Sequence, residues 1–225
     1  MNYLELLNEL KGAAEIDFAK FQEKLIPTQQ KILGVRTPIM RNIAKKYQAD
    51  FQEIFAFPDE YYEVTFIKLT QVSKLPYEQF IGLLEQCVQK IDNWATCDSF
   101  KAISICNRQE EFLHILNRLF KTQKEFYQRY VLVVFLTEYM QEKWLPTIKN
   151  YLQLADTSHF YVHMAAAWLT AEIIIKHYDY GVTLLKESVL DIKTHNKAIQ
   201  KARESFRLTT KQKEFLNSLK IKINK

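Results

Sequence analysis

Glycine and proline set the tightest limit on this chain. It has 225 residues, with only four glycines and five prolines. Together these are about 4% of the chain, against ~12% in average proteins. Sandwiches and barrels need many turns rich in these residues. Rossmann fingerprints and Walker loops need clustered glycines, whereas Gly12, Gly34, Gly82 and Gly181 stand singly. An all-β fold is therefore disfavoured, and a glycine-loop nucleotide enzyme is nearly excluded. A hydrophobic content of 48% with 13% aromatic residues supplies ample bulk for a buried core. An all-α chain is expected.

Almost every segment reads as helix. Tyr3, Leu6, Leu7 and Leu10 fall at helical spacing. Thr37-Pro38 reads as an N-cap followed by a first-turn proline. Pro58-Asp59 and Pro76 read as two further helix starts. Helical runs follow over Glu111–Phe120, Lys124–Met140, Leu145–Leu154, Ser158–His177, Gly181–Ser188, Lys193–Phe206 and Thr210–Leu219. Connections are short, and no linker or low-complexity tract is visible. Apolar helices lie near 61–74, 94–105, 126–140, 160–176 and 195–206, a spacing close to HEAT-type repeats of ~40 residues. A compact bundle and a solenoid of helix pairs both fit. Residues 1–225 are expected to form a single domain, with basic C-terminal helices over 193–225.

Charge is unevenly placed. Lys193, Lys197, Lys201, Arg203, Arg207, Lys211, Lys213, Lys220, Lys222 and Lys225 face only Glu204 and Glu214, so this end carries +8 while the rest carries −3. A basic end on a near-neutral body suits a polyanion partner, or simply a solvated lysine-rich helix. Cys87, Cys97 and Cys106 are odd in number and form no CxxC pair, which argues against a disulfide framework or structural zinc and suits a cytoplasmic chain. The start lacks the basic and apolar regions of a signal peptide. The apolar run Tyr130–Leu136 is far short of the ~20 residues of a membrane span.

Some residues could carry chemistry. Trp94 and Asp98 are four apart and share a face if helical. A carboxylate beside an indole can stabilise a cation; equally, Trp94 could pack in the core and Asp98 cap a helix. Arg129 leads into an apolar helix and needs either solvent or an anion. Trp168 follows three alanines, which allow close backbone approach. His159 and His163 have HxxxH spacing but lack a third ligand, so no metal is expected. Cys97 reads as a buried thiol.

Leu33-Gly34-Val35-Arg36-Thr37-Pro38, Trp94-x-x-x-Asp98, Gln128-Arg129 and Ala166-Ala167-Trp168 occur in this order, followed by the basic stretch His195–Lys201. Together they resemble the AlkD-like DNA alkylation repair proteins, over nearly the whole chain. The resemblance implies an α-α superhelix of degenerate HEAT-like repeats with a positive concave groove for double-stranded DNA. It implies hydrolysis of the N-glycosidic bond of cationic N3- or N7-alkylated purines without a base-flipping pocket and without a cofactor. Asp98 would be the catalytic carboxylate, Trp94 and Trp168 would flank the lesion's sugar, and Arg129 would hold its phosphate. Arg36, Arg41, Gln128, Lys197, Lys201 and Arg203 would contact DNA, and a monomer would suffice.

The chain departs from this pattern in two places. Active members carry a Tyr- and Lys-bearing short helix before LGVRTP, where this chain has Leu25–Ile32 with Pro27 interrupting it. Ala171 stands where an arginine is frequent. Two other functions follow from the same residues: a non-catalytic protein that recognises unusual or branched DNA, and a helical scaffold for an acidic protein partner.

Overall fold

The computed structural model describes residues 1–222; Lys225, counted with the basic end, lies outside the described residues. Among the described residues the regular structure is helical, apart from one parallel bridge between Lys31 and Tyr61. No helix among them is long and apolar enough to cross a membrane. The chain divides into two compact units, Met1–Arg108 and Gln109–Lys225.

The first unit contains α1 (Tyr3–Gly12), α2 (Ile16–Leu25), α3 (Thr37–Lys46), α4 (Phe51–Phe55), α5 (Tyr62–Val72), α6 (Tyr77–Gln89) and α7 (Trp94–Ser99). α1 starts with a reciprocal capping box between Asn2 and Glu5. α5 is the central helix and is buried on nearly all sides. Its buried polar side chains must therefore find partners inside the protein. Gln71 donates to the Tyr47 carbonyl at 2.7 Å. Lys68, 1% exposed, donates to Asp59 and to the Phe57 carbonyl, and Lys90 also reaches Asp59. Burial alone would raise the Asp59 carboxyl, but the bonds from the two lysines carry it below its ordinary range.

Glu63 is the most consequential of these groups. Its fully buried carboxylate accepts the backbone N–H groups of Leu33 (3.0 Å), Gly34 (2.8 Å) and Val35 (3.3 Å). Burial pushes this carboxyl up, and the backbone donors pull it back. Gly34 has φ +87°, a left-handed conformation that suits glycine. The segment thus held lies against α2, where Glu15 N–H donates to the Gly34 carbonyl at 3.1 Å.

The helix expected from Gly181 starts at Tyr178, and three further boundaries differ from the sequence expectation for reasons the structure shows. α3 begins at Thr37 with Arg36 in the cap position, so Thr37 is not the cap; Pro38 still sits in the first turn, where its missing N–H costs nothing. α5 begins at Tyr62, not at Pro58-Asp59. Glu60 and Tyr62 pair their backbones with Lys31, and the Asp59 side chain is turned to the lysines. The helix expected over 94–105 stops at Ser99, because Phe100 leaves helical geometry at ψ 89°. A short 3-10 turn follows at Ile103–Ile105.

The second unit contains α8 (Gln109–Phe120), α9 (Glu125–Glu138), α10 (Leu145–Leu154), α11 (Phe160–Lys176), α12 (Tyr178–Lys186), α13 (Ile192–Glu204) and α14 (Thr210–Ser218). Three successive pairs end in α9, α11 and α13, and α11 packs against both of the others. These inner helices match the expected rhythm. Ala165, Ala166 and Ala167 are buried, and their small side chains let neighbouring backbones approach. Gly181 performs the same service for α12, since a Cβ there would lie 2.6 Å from the Ile174 Cα.

His163, 3% exposed, is part of the seam between α11 and α13, with Nδ1 2.7 Å from Thr194 Oγ1. Burial lowers its pKa below 6.5, aided by Lys193 and Lys197 and opposed by Asp191. The unfolded chain binds a proton near pH ~6.5 that the folded chain refuses. Stability from this group is therefore present above that value and falls as pH drops through it. Thermal unfolding followed from about pH 7.5 to about 5.5 should show a falling midpoint, and His163→Gln should flatten that slope. Parallel slopes in the two proteins would remove His163 as the source.

Candidate active site

α7 is short and depends on its cap. Asn93 is fully buried, and its Oδ1 accepts the Thr96 N–H at 2.9 Å. The same side chain donates to Asp92 Oδ1 at 2.7 Å. Asp92 Oδ2 in turn accepts from Thr28 Oγ1 (2.6 Å) and from the Gln29 N–H (3.1 Å). Segment 26–36, which is non-helical, is thereby pinned to the start of α7. Asp98 lies in the last turn of α7 and is not its cap, so the capping role open to it on sequence grounds belongs to Asn93.

Trp94 is not a core residue. Its ring is 36% exposed, and its indole N–H donates to the Leu25 carbonyl at 2.8 Å. That bond fixes the ring's direction while leaving a face open. Asp98 is half-buried one turn further on. Trp94 and Asp98 line a cavity of about 250 Å³ whose other walls include Phe18, Phe21, Tyr62 and Phe66. The result is a carboxylate and an indole side by side on an aromatic surface. This pairing lowers the energy of a delocalised or carbon-centred cation more than that of a neutral group.

In the second unit, Arg129 is 5% exposed near the start of α9. Its Nη1 donates to the Tyr161 carbonyl at 3.0 Å, and the guanidinium lies 5.8 Å from the Tyr161 ring centroid. Tyr161 is itself positioned by its N–H bond to Glu125 (2.8 Å) and by stacking on Phe126. Trp168, on α11, is 40% exposed, so the core placement open to it on sequence grounds does not hold.

The expected DNA-contacting residues are placed unequally. Arg41 is exposed. Arg36 forms a two-point ion pair with Glu15 (2.7 and 2.9 Å) and lies 4.3 Å from the Phe18 ring centroid. Gln128 is fully buried, donating to Gln123 and accepting the Asp156 N–H, each at 2.8 Å. Lys197 reaches Gln200 (3.3 Å), Lys201 pairs with Glu204 (3.0 Å), and Arg203 donates to Asn217 (2.8 Å). The two histidines of the HxxxH spacing diverge: His159 lies 3.6 Å from Asp156, while His163 turns inward to Thr194. Cys97 is buried, as is Cys87, whose thiol burial pushes up to about 12.

Sequence reasoning missed the supports around Trp94 and the LGVRTP loop. Asn93 before a helical run carries an N-cap signal that could have been read. Glu63 gives no local signal, because its partners lie about thirty residues earlier in the chain.

A comparison with curated proteins gives no match. A family model does match, described as DNA alkylation repair enzyme, and it spans residues 6–205. That match covers both the α7 carboxylate with its indole and the arginine and tryptophan of the second unit, and the chain accordingly belongs to the DNA alkylation repair enzyme family.

Proposed function

We propose that the protein is a monomeric DNA glycosylase that hydrolyses the N-glycosidic bond of N3- or N7-alkylated purines in double-stranded DNA. The observation that carries this reading is the outward face of α7, where a half-exposed carboxylate adjoins an indole held by a backbone carbonyl. An alkylated purine is already cationic, so it leaves as a neutral base and needs no general acid. As the C1′–N bond lengthens, the bonding electrons go to the base and positive charge develops on the deoxyribose. Asp98 stabilises that charge and orients water toward C1′. Water supplies the new C–O bond, and its proton passes to solvent. Trp94 borders the sugar beside Asp98, and in the second unit Trp168 and Arg129, the latter oriented by Tyr161, take part in holding the DNA.

DNA is gripped elsewhere by the exposed Arg41 and the half-buried Lys197 and Arg203, with Lys201 contributing less because Glu204 pairs with it. Arg36 shares its charge with Glu15 and contributes less. Gln128 acts indirectly by holding the turn before α11. No cofactor enters this chemistry.

The direct test is single-turnover release of base from duplex DNA carrying N7-methylguanine or N3-methyladenine. Time-dependent release by the wild-type protein is expected. DNA binding should weaken with salt at a log–log slope near −5 for about six phosphate contacts. Absence of release with that slope intact would replace the enzyme with a non-catalytic DNA-binding member of the family. A flat salt response would favour the acidic protein partner.

A further inference from the structure

The exposed side of α11 that carries Trp168 continues toward the helix start through Met164 to Phe160, at intervals of four residues. Phe160 is 57% exposed, an unusual position for a ring of that size. It lines a cleft of about 510 Å³, well within the ~300–1,000 Å³ typical of small-molecule sites. Lys193, Lys197 and Gln200 of α13 form one wall. Lys220 comes from the chain that follows α14, and that chain is fastened in place. Asn196 donates to the Ile221 carbonyl at 2.8 Å and accepts the Ile221 N–H at 3.0 Å. His195 Nε2 lies 2.9 Å from the Leu219 carbonyl.

The charge of this cleft is unbalanced. Lys193 and Lys220 form no ion pair among the described residues, and the side-chain hydrogen bond of Lys197 goes to the neutral Gln200. No carboxylate is among the described lining residues. Nearby cations are neutralised: Lys201 by Glu204 and Arg207 by Glu172. Three ammonium groups gathered around one hollow repel each other unless an anion sits between them. An exposed aromatic ring in the same hollow adds a requirement for a flat apolar partner.

We propose that this cleft binds an unpaired nucleotide of a DNA strand. Phe160 stacks on the base, and Lys193, Lys197 and Lys220 take the adjoining phosphates. The base must be unpaired, because a base within a duplex is covered on both faces by its neighbours. Lysines alone would suit any duplex backbone; the exposed ring selects a strand whose base is free. The inference rests on DNA as the partner and not on glycosylase chemistry.

The test compares binding of a blunt duplex with the same duplex carrying a short single-stranded extension, followed by fluorescence anisotropy. The extension is expected to raise affinity at least fivefold for wild type, about the lower end of single-base stacking on an aromatic side chain. Phe160→Ala should abolish that advantage and leave blunt-duplex binding within about twofold; the ring's exposure keeps this variant folded. Lys193→Gln with Lys220→Gln should flatten the salt slope for the extension by about 1.4, the value for two single-strand phosphate contacts. An extension without effect would overturn the proposal, and so would an advantage that survives Phe160→Ala. Competition by free deoxynucleoside monophosphate as strong as that by the extension strand would overturn the strand assignment in favour of a free nucleotide. Base release from blunt duplex, measured on the same variants, should stay near wild type. A chain that releases no base but keeps the extension effect would refute the glycosylase reading and leave this one standing.

Discussion

Asp98→Asn should slow base release from alkylated duplex DNA by at least about a hundredfold, the usual cost of removing one preorganised electrostatic contact at a developing charge. Asparagine keeps the shape of the side chain and removes its negative charge. The loss should fall on the single-turnover rate and spare the dissociation constant. In the ground state the positive charge resides on the base, and the carboxylate meets the sugar's charge only as the bond breaks. A carboxylate near phosphates also repels DNA, so the variant should bind unmodified duplex as tightly as wild type or slightly better. The start of α7 does not depend on Asp98, since Asn93 is its cap and Asp98 lies in its last turn. Release within tenfold of wild type, with unchanged circular dichroism, would remove Asp98 from the chemistry. Trp94→Phe makes a useful companion. It keeps an aromatic face but loses the N–H bond to Leu25, so a smaller loss is expected.

Gly34→Ala should destabilise the first unit by about 2–5 kcal/mol, combining the ~1–2 kcal/mol of left-handed strain with the ~1–3 kcal/mol of overpacking. An added Cβ would lie 2.4 Å from the Glu15 carbonyl oxygen and 2.6 Å from the Ala19 nitrogen. Both are backbone atoms of α2 or its cap and cannot rotate away. Relief would require α2 to move as a body, and α2 ends in the carbonyl that positions Trp94. The substitution should therefore reduce base release beyond what the lost folded fraction explains. Chemical denaturation measures the first effect. Single-turnover rates at low temperature, where the variant is still folded, measure the second. A midpoint shift worth less than about 1 kcal/mol would mean that α2 yields at little cost.

Helical content was legible because it rests on local facts. The scarcity of breakers, the period of apolar residues and the proline before α6 need no knowledge of tertiary structure. The inner helices α9 and α11 were legible as long apolar runs for the same reason, and α13 by the helical spacing of its few apolar residues. What could not be read was set by distant partners. Tyr62 begins α5 because Lys31 pairs with the backbone on either side of Tyr61. α7 stops early at Phe100. Among the site residues, spacing placed Trp94 and Asp98 on one face but could not say that the face is outward. Burial of Gln128 was equally hidden, since a glutamine beside an arginine carries no sign of an inward course. Arg36 drew attention for its charge, while Glu15, twenty-one residues earlier, shares that charge.

The bond from Trp94 to Leu25 ends on a main-chain oxygen. Any amino acid at position 25 presents the same oxygen, so the letter there can drift while the length and course of the stretch cannot. Comparison of side chains would score position 25 as expendable, when a single inserted or deleted residue between 25 and 33 would re-aim the indole. The information that matters here is written in spacing, and a scan for it should vary the number of residues before varying their kind.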